Sequence, residues 1–337
     1  MKKILSVSIA AYNVESTIQK CLDSFLKSNY IKDLELLVVN DGSSDRTLSI
    51  ISEYENKYPG IIKVINKKNG GHGSTINTSL EHATGKYFKV VDGDDWVKID
   101  ELDRLISRLD KENVDLIING FSWVFPNEYR EQHDEMPFSL NKVYLFEDLL
   151  KNNRIQKYFF MHAITVRTEI LREINMHITE KCFYADNEYN FFVYMATKTI
   201  CFDNSCAYQY RMGMSGQSVS AEGQYRHLED RLKILEEITS IYQNHEDELS
   251  LEKKKYLLQY ISDYYNGIFS ILTNIIKKSG KDRMAIKFLY DFKELHPTYL
   301  HIKRINKITL FSPILFISLF RSIKDSFLWN LVKKYKR

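Results

Sequence analysis

Phe88-Lys-Val-Val-Asp-Gly-Asp-Asp-Trp96 is the stretch on which the reading of this chain turns. An apolar run with the pattern of a buried strand stops at three carboxylates within four positions. Hard divalent cations take carboxylate oxygens from short, fixed turns, so such a strand end can hold one. Asp92 and Asp94 stand two apart and can face one side of the extended chain, while Gly93 lets the backbone bend between them. A second acidic turn, Asn40-Asp-Gly-Ser-Ser-Asp-Arg46, follows an earlier apolar strand. Two acidic strand ends in one half of the chain point to a nucleotide diphosphate held through a metal.

Around these turns the first hundred residues alternate strand and helix patterns. Strands are expected over 4–10, 34–39, 61–65 and 87–91, and helices over 17–26, 47–58 and 75–83. Ser16 and Gln19 offer a capping box for the first helix. Continuous apolar strands joined by short crossover helices imply an α/β fold with a parallel sheet covered on both faces. Ligands of such sheets sit outside the carboxyl ends of the strands, where both acidic turns fall. Beyond residue 120 the pattern loosens. Strands are expected over 121–125 and 159–166, a loop on the acceptor side over 126–140, and a helix over 187–197. Leu228, Leu232, Leu235, Ile238 and Ile241 then recur at helical spacing, and further helices are expected over 250–278 and 281–295.

The 337 residues suffice for one large domain with additions or for two domains. The formal charge of +3 is unevenly spread. Residues 301–337 hold nine Lys or Arg and one acid, whereas the rest hold 38 bases and 43 acids. That tail is also apolar and aromatic, with Phe320, Phe327 and Trp329 among its bases, which suits an anionic membrane surface better than a nucleic-acid groove. Docking on the protein core or at a homo-oligomer contact is the alternative for it. No apolar run is long enough to span a bilayer, and the N-terminus reads as a first strand rather than a signal peptide. Cys21, Cys182, Cys201 and Cys206 have no metal-site spacing and read as reduced thiols.

Four pieces stand in one order: Val7-Ser-Ile-Ala-Ala-Tyr-Asn-Val-Glu15, Asn40-Asp-Gly-Ser-Ser-Asp-Arg-Thr47, Asp92-Gly-Asp-Asp95 and Tyr184-Ala-Asp-Asn-Glu188. In that order they resemble a family 2 glycosyltransferase of the GT-A fold, of the bacterial cell-envelope polysaccharide type, over residues 1–220. The resemblance implies a GT-A domain over 1–220. A helical accessory region over 221–300 and a membrane-associating tail over 301–337 complete the expected organisation.

The resemblance also implies roles. Asp94 would be the direct ligand of Mn²⁺ or Mg²⁺, and Asp92 would contact the ion's water or the ribose. Asp95 would support them, or cap a helix beginning near Ile99. Ala10, Tyr12 and Glu15 would line the base pocket, and Asp41 would accept a hydrogen bond from uracil or close an Asx-turn. Asn69, Gly70 and Gly93 would contact the donor, and Gly70, Gly71 and Gly73 suggest a backbone that approaches it closely. Asp186 would be the base of an inverting transfer, or an N-cap, with Glu188 as its substitute. Arg211 would meet the donor diphosphate or form a surface ion pair.

The chain departs from the family pattern in places. Ala11 replaces a common Pro, Ile76 stands where an Arg is usual, and Ala185 replaces a Glu. His72 could offset the charge lost at Ile76, or be a solvated loop side chain. The Gln-x-x-Arg-Trp motif of processive synthases is absent. A nucleotidyltransferase would need a basic Gly-rich loop after the first strand, where this chain has Ala10-Ala-Tyr-Asn13. The expected activity is transfer of one sugar from a nucleotide-diphosphate sugar, UDP above all, to a hydroxyl of a glycan or lipid-linked precursor. Its expected place is the cytoplasmic face of the cell membrane. A non-catalytic nucleotide-sugar binder or scaffold partner is the alternative.

Overall fold

The computed structural model describes residues 3–125, 128–132, 139–140, 142–152, 154–155, 158–213 and 221–279. The helix expected over 281–295 and the basic tail lie outside them. One compact unit runs through Tyr260, and a second begins at Ile261. Every candidate site residue belongs to the first unit; the described part of the second continues a single helix to Ser279.

The chain begins with β1 (Leu5–Ala11), α1 (Ile18–Leu26), β2 (Leu34–Asp41), α2 (Thr47–Lys57), β3 (Ile62–Lys67), α3 (His72–His82) and β4 (Tyr87–Asp92). Next come β5 (Trp96–Val97), α4 (Ile99–Lys111), β6 (Leu116–Ile118), β7 (Phe121–Phe125), β8 (Glu128–Gln132), β9 (Tyr144–Leu145), α5 (Phe146–Lys151) and β10 (Ile164–Arg167). Then follow α6 (Thr168–Glu173), α7 (Ala185–Ala196), β11 (Thr199–Phe202), β12 (Tyr208–Arg211), α8 (Ala221–Arg226), α9 (Leu228–His245) and α10 (Leu251–Ser279). Among the described residues no helix is long and apolar enough to cross a membrane.

The main sheet has the order β3-β2-β1-β4-β10-β6-β11-β9. Strands β1 to β4 are parallel to one another, whereas β10 runs antiparallel to both β4 and β6. The sheet is therefore mostly parallel. In β1, Leu5, Val7 and Ile9 are buried in alternation with Ser6 and Ser8. The small serines let α3 approach the sheet, and Ser8 Oγ donates to Ser79 Oγ of α3 at 2.8 Å. A smaller sheet, β5-β12-β7-β8, stands beside the end of β4.

Three local expectations fail for identifiable reasons. The polar stretch 126–140 is not all loop: β8 forms a hairpin with β7, because main-chain pairing opposite the aromatic β7 strand outweighs its composition. The expected strand over 159–166 starts instead with a 3-10 turn, Met161–Ala163. Ahead of it the buried Tyr194 hydroxyl holds both the N–H and the C=O of Phe159 at 2.7 Å, where a strand neighbour would pair. The capping box at Ser16 and Gln19 does not form. Thr17 holds the cap position, and its hydroxyl donates to the Gly93 carbonyl at 3.1 Å.

Two clamps position the site. Asp95, 1% exposed, accepts from the Tyr208 hydroxyl at 2.5 Å and from the Arg211 N–H at 2.7 Å, joining the turn after β4 to β12. It does not cap α4, whose cap position is Lys98. The second clamp fastens the segment leading to α7 against α3. Asn77 exchanges two 2.8 Å bonds with the backbone of Ile178, and the Lys181 N–H donates to the Gly70 carbonyl at 2.5 Å. Glu188 accepts from Thr179 N–H at 2.9 Å and Thr179 Oγ1 at 3.1 Å. All four cysteines are free and buried.

Both clamps can be tested by stability. Tyr208→Phe leaves the buried Asp95 carboxylate with one donor fewer, so urea unfolding should show a loss of about 1–3 kcal/mol. An unchanged midpoint would mean that Asp95 does not need the hydroxyl. Burial raises the Glu188 carboxyl from 4.5 to about 7. The folded state then binds this proton more tightly than the unfolded chain, so stability falls as pH rises between those values. Glu188→Gln removes that titration. Relative to wild type it should gain up to about 3 kcal/mol between pH 5 and pH 8. A gap independent of pH would mean the shift is absent.

Candidate active site

The site is built on the carboxyl edge of the main sheet. Register places Ala10 beside Asp92 and Ala11 beside Asn40, so the ends of β1, β2 and β4 meet there. The Gly93 N–H donates to the Ala10 carbonyl at 2.9 Å, and a Cβ at Gly93 would lie 2.6 Å from that oxygen. Only a residue without Cβ lets the Asp92–Asp95 turn fold so closely over β1. The segment after β1 is stitched to the turn after β2. Asn13, at φ 51°, accepts from Ser44 N–H at 2.8 Å, and Glu15 accepts from Arg46 N–H at 2.9 Å. Tyr12 stays 52% exposed beside this seam, an open ring face at the sheet edge.

Asp41 is buried beneath the glycine loop. Its carboxylate accepts from Gly70 N–H at 2.8 Å, Gly71 N–H at 2.7 Å and Lys67 Nζ at 3.0 Å. It is therefore chiefly the anchor of Asn69-Gly-Gly71 rather than the closure of its own turn, and Asn69 is left exposed above it. Gly71, at φ 81°, is the cap position of α3, and the helix opens with His72, earlier than the sequence pattern suggested. Ile76 is wholly buried. The position where the family pattern carries Arg faces the core in this chain.

The cluster of acids is compensated unequally. His72 Nε2 lies 3.0 Å from Asp92 Oδ1, a close ion pair that is poorly aligned as a hydrogen bond. Burial would raise the Asp92 carboxyl, but His72, His162 and the Tyr208 hydroxyl together hold it below the usual carboxylate range. Burial and the Asp92 charge instead raise Asp94, and raise Asp95 further. Among the described residues, the side chains at this turn whose ligand atoms lie within 4.8 Å of one another are Asp92, Asp95 and His162, and Asp94 is not among them. Burial would lower His72, but Asp92, Asp186 and Asp94 raise it above its ordinary value. It is a partner of the acids, not a solvated loop side chain.

Asp186 lies in the first turn of α7, after Tyr184 at φ 64°. Tyr184 and not Asp186 holds the cap position of that helix. Protein surrounds Asp186 closely though it keeps some solvent contact, and this desolvation, with the Asp92 charge, raises its pKa; His72 and Arg231 oppose the rise. Glu188 is 1% exposed and held by Thr179, which leaves it structural. Arg211 sits with its guanidinium 5.6 Å from the Trp96 ring centroid, and its charge draws Asp94 down. Of the loop after it, residues 214–220 lie outside the described structure.

Sequence reasoning missed several residues. Lys89, 1% exposed, donates to the carbonyls of His162 at 2.8 Å and Ile164 at 3.1 Å, and burial lowers it to about 7. A lysine inside a buried strand was the available signal. His162 stacks on Tyr210 at 4.3 Å and meets Tyr208 edge-on at 4.6 Å. Burial, with Lys89 and His72, lowers it to about 4 against the pull of Asp92. Arg231 lies 3.7 Å over the Tyr184 ring, far from Asp186 in sequence, and no local pattern announced it.

The family model of glycosyl transferase family 2 matches residues 6–174. Over 221 residues the chain is 28% identical to the uncharacterized glycosyltransferase EpsJ of Bacillus subtilis, covering 63% of this chain and 62% of that one. It is 27% identical over 218 residues to the poly(ribitol-phosphate) beta-N-acetylglucosaminyltransferase TarS of Staphylococcus aureus, covering 64% of this chain and 37% of TarS. The chain thus matches less than two thirds of the length of these relatives. A crystal structure of S. aureus TarS 1-349 in complex with UDP-GlcNAc has a TM-score of 0.60 at 22% identity, over 89% of this chain and 79% of that one. That likeness establishes a shared fold. With the family's motifs assembled at one sheet edge and its model matched across half of the sequence, the chain belongs to glycosyl transferase family 2.

Proposed function

We propose that this glycosyltransferase moves one sugar, with inversion, from a UDP-sugar to a hydroxyl of a cell-envelope glycan or lipid-linked precursor. The observation that carries the reading is the gathering of the Asp92–Asp95 turn, His72 and Asp186 at the carboxyl edge of the sheet, in a fold shared with TarS, whose structure is in complex with UDP-GlcNAc. TarS, a relative at 27% identity, is named for N-acetylglucosaminyl transfer to poly(ribitol phosphate), which supports an envelope polyol or glycan acceptor.

In this mechanism Tyr12, Ala10 and Glu15 border the nucleobase, with Asp41 shaping the floor through Asn69 and Gly70. Asp94 and Asp92 would hold Mn²⁺ or Mg²⁺, which when bound supplies positive charge to the departing diphosphate. Arg211 adds charge from the side of β12. Asp186 takes the proton of the acceptor hydroxyl as its oxygen attacks the anomeric carbon opposite the leaving group. The bond from that carbon to the β-phosphate oxygen breaks, UDP leaves, and configuration inverts. The basic segment 303–337 would keep the enzyme on anionic lipid at the cytoplasmic face, near a lipid-linked acceptor.

Thermal shift with UDP, GDP, CDP and dTDP, each with Mn²⁺ or EDTA, tests the donor site. Stabilisation selective for UDP and dependent on Mn²⁺ is expected; stabilisation by no nucleotide would remove the reading. Asp186→Asn should keep UDP affinity while turnover falls by about 10²–10⁴. Retained turnover would dismiss Asp186 as base. Asp94→Ala should abolish the Mn²⁺-dependent part of UDP binding, and unchanged binding would remove it as a ligand. Because Asp186 must be ionised to act and its pKa is raised, kcat/KM should climb with pH through a value above the ordinary carboxylate range, and Asp186→Asn should lose that limb.

A further inference from the structure

We propose that His162 supplies an imidazole nitrogen to the divalent cation held at the Asp92–Asp95 turn, and that the site therefore prefers Mn²⁺ to Mg²⁺. This rests on the reading above that the turn holds a cation, and it adds a ligand that the sequence motif does not contain. One ring nitrogen of His162 and one oxygen each of Asp92 and Asp95 all lie within 4.8 Å of one another. Ligand atoms of a single ion, each about 2.0–2.6 Å from it, fall within about 4–5 Å of each other, so one cation can reach all three after small side-chain shifts.

The three groups come from separate segments: the end of β4, the turn after it, and the 3-10 turn before β10. His162 Nδ1 is buried without a hydrogen-bond partner among the described residues. A buried polar atom left unpaired costs about 1–3 kcal/mol, a cost that a bound ion would offset. The ring is not free to seek another partner. Tyr210 stacks on it at an interplanar angle of 24°, Tyr208 closes its edge, and Lys89 pins its own carbonyl at 2.8 Å.

Asp95 already accepts from Tyr208 and Arg211, but each carboxylate oxygen keeps a further lone pair. Asp94 lies in the same turn but outside that 4.8 Å group, so the set the structure brings together is two carboxylates and one nitrogen. Mg²⁺ takes oxygen ligands in near-ideal octahedra and keeps its waters, whereas imidazole suits the later first-row ions. A single nitrogen therefore shifts the balance toward Mn²⁺.

The test uses the full chain and Mn²⁺ alone, without nucleotide. Mn²⁺ affinity is followed by the loss of the free-ion EPR signal. Pulsed EPR on the bound ion then looks for ¹⁴N modulation. Wild type, Asp94→Ala, His162→Gln and His72→Gln are compared after circular dichroism has shown them folded. Expected are nitrogen coupling in wild type and His72→Gln, its disappearance in His162→Gln, and Mn²⁺ affinity roughly 10–100-fold lower in that variant. Mg²⁺ competition should weaken in wild type more than in His162→Gln.

Mn²⁺ bound by wild type and lost in Asp94→Ala, but with no nitrogen coupling, would overturn the His162 ligand while sparing the cation site. Coupling that vanishes only in His72→Gln would reassign it to His72 and likewise overturn the proposal. No Mn²⁺ binding by wild type would overturn both. Should His162→Gln misfold, the wild-type and His72→Gln spectra still decide: coupling retained without His72 supports His162, and its absence refutes it.

Discussion

A buried carboxylate, Asp95, ties the chemistry of this protein to its fold. Its two oxygens hold the Tyr208 hydroxyl and the Arg211 main chain, so the acidic turn after β4 cannot move without β12. Through β12 it is linked to β5 and β7 and thus to the smaller sheet. A charged group in such surroundings is tolerable only because both oxygens are paired; with one partner removed the desolvation cost would stand uncompensated. The consequence for function is that Asp92 and Asp94 are presented from a turn fixed at both ends, at Gly93 over β1 and at Asp95 under β12.

Around that turn, negative charge exceeds what the protein itself neutralises. Asp92, Asp94 and Asp186 surround His72, and the desolvated acids are raised except where a cation faces them directly. Such an arrangement favours an added cation, because a positive charge relieves that imbalance. The glycine loop contributes from the other side. Asp41 draws Gly70 and Gly71 N–H groups inward, and the same loop receives Lys181 from the segment that leads to Asp186. The glycine loop and the segment leading to Asp186 are thereby coupled by main-chain bonds, with Gly73 approached so closely by the Thr179 carbonyl that a Cβ would clash with it.

Much of this was legible beforehand where local pattern dictates structure. The apolar strands over 4–10 and 34–39 and the strand that stops at Asp92 all describe residues whose neighbours in sequence are also neighbours in space. Glycines at 70, 71 and 93 were recognisable because close backbone approach demands them. The polar β8 hairpin and the 3-10 turn at Met161–Ala163 were not, since each depends on a partner remote in sequence: β7 in one case, Tyr194 and Lys89 in the other.

The amino-acid sequence by itself determined the mostly parallel α/β sheet, the acidic strand ends and the family whose motifs it carries, because periodicity and turn chemistry act over a few residues. Only the tertiary structure decided what each motif residue touches. It buried Ile76 in the core, paired His72 with Asp92, made Asp95 a clamp and Glu188 a brace. It also carried His162 from an apolar stretch to the side of Asp92. Those outcomes are set by burial and by hydrogen-bond partners tens of residues away, and desolvation, which shifts every pKa in the site, exists only once the chain has folded around the charges.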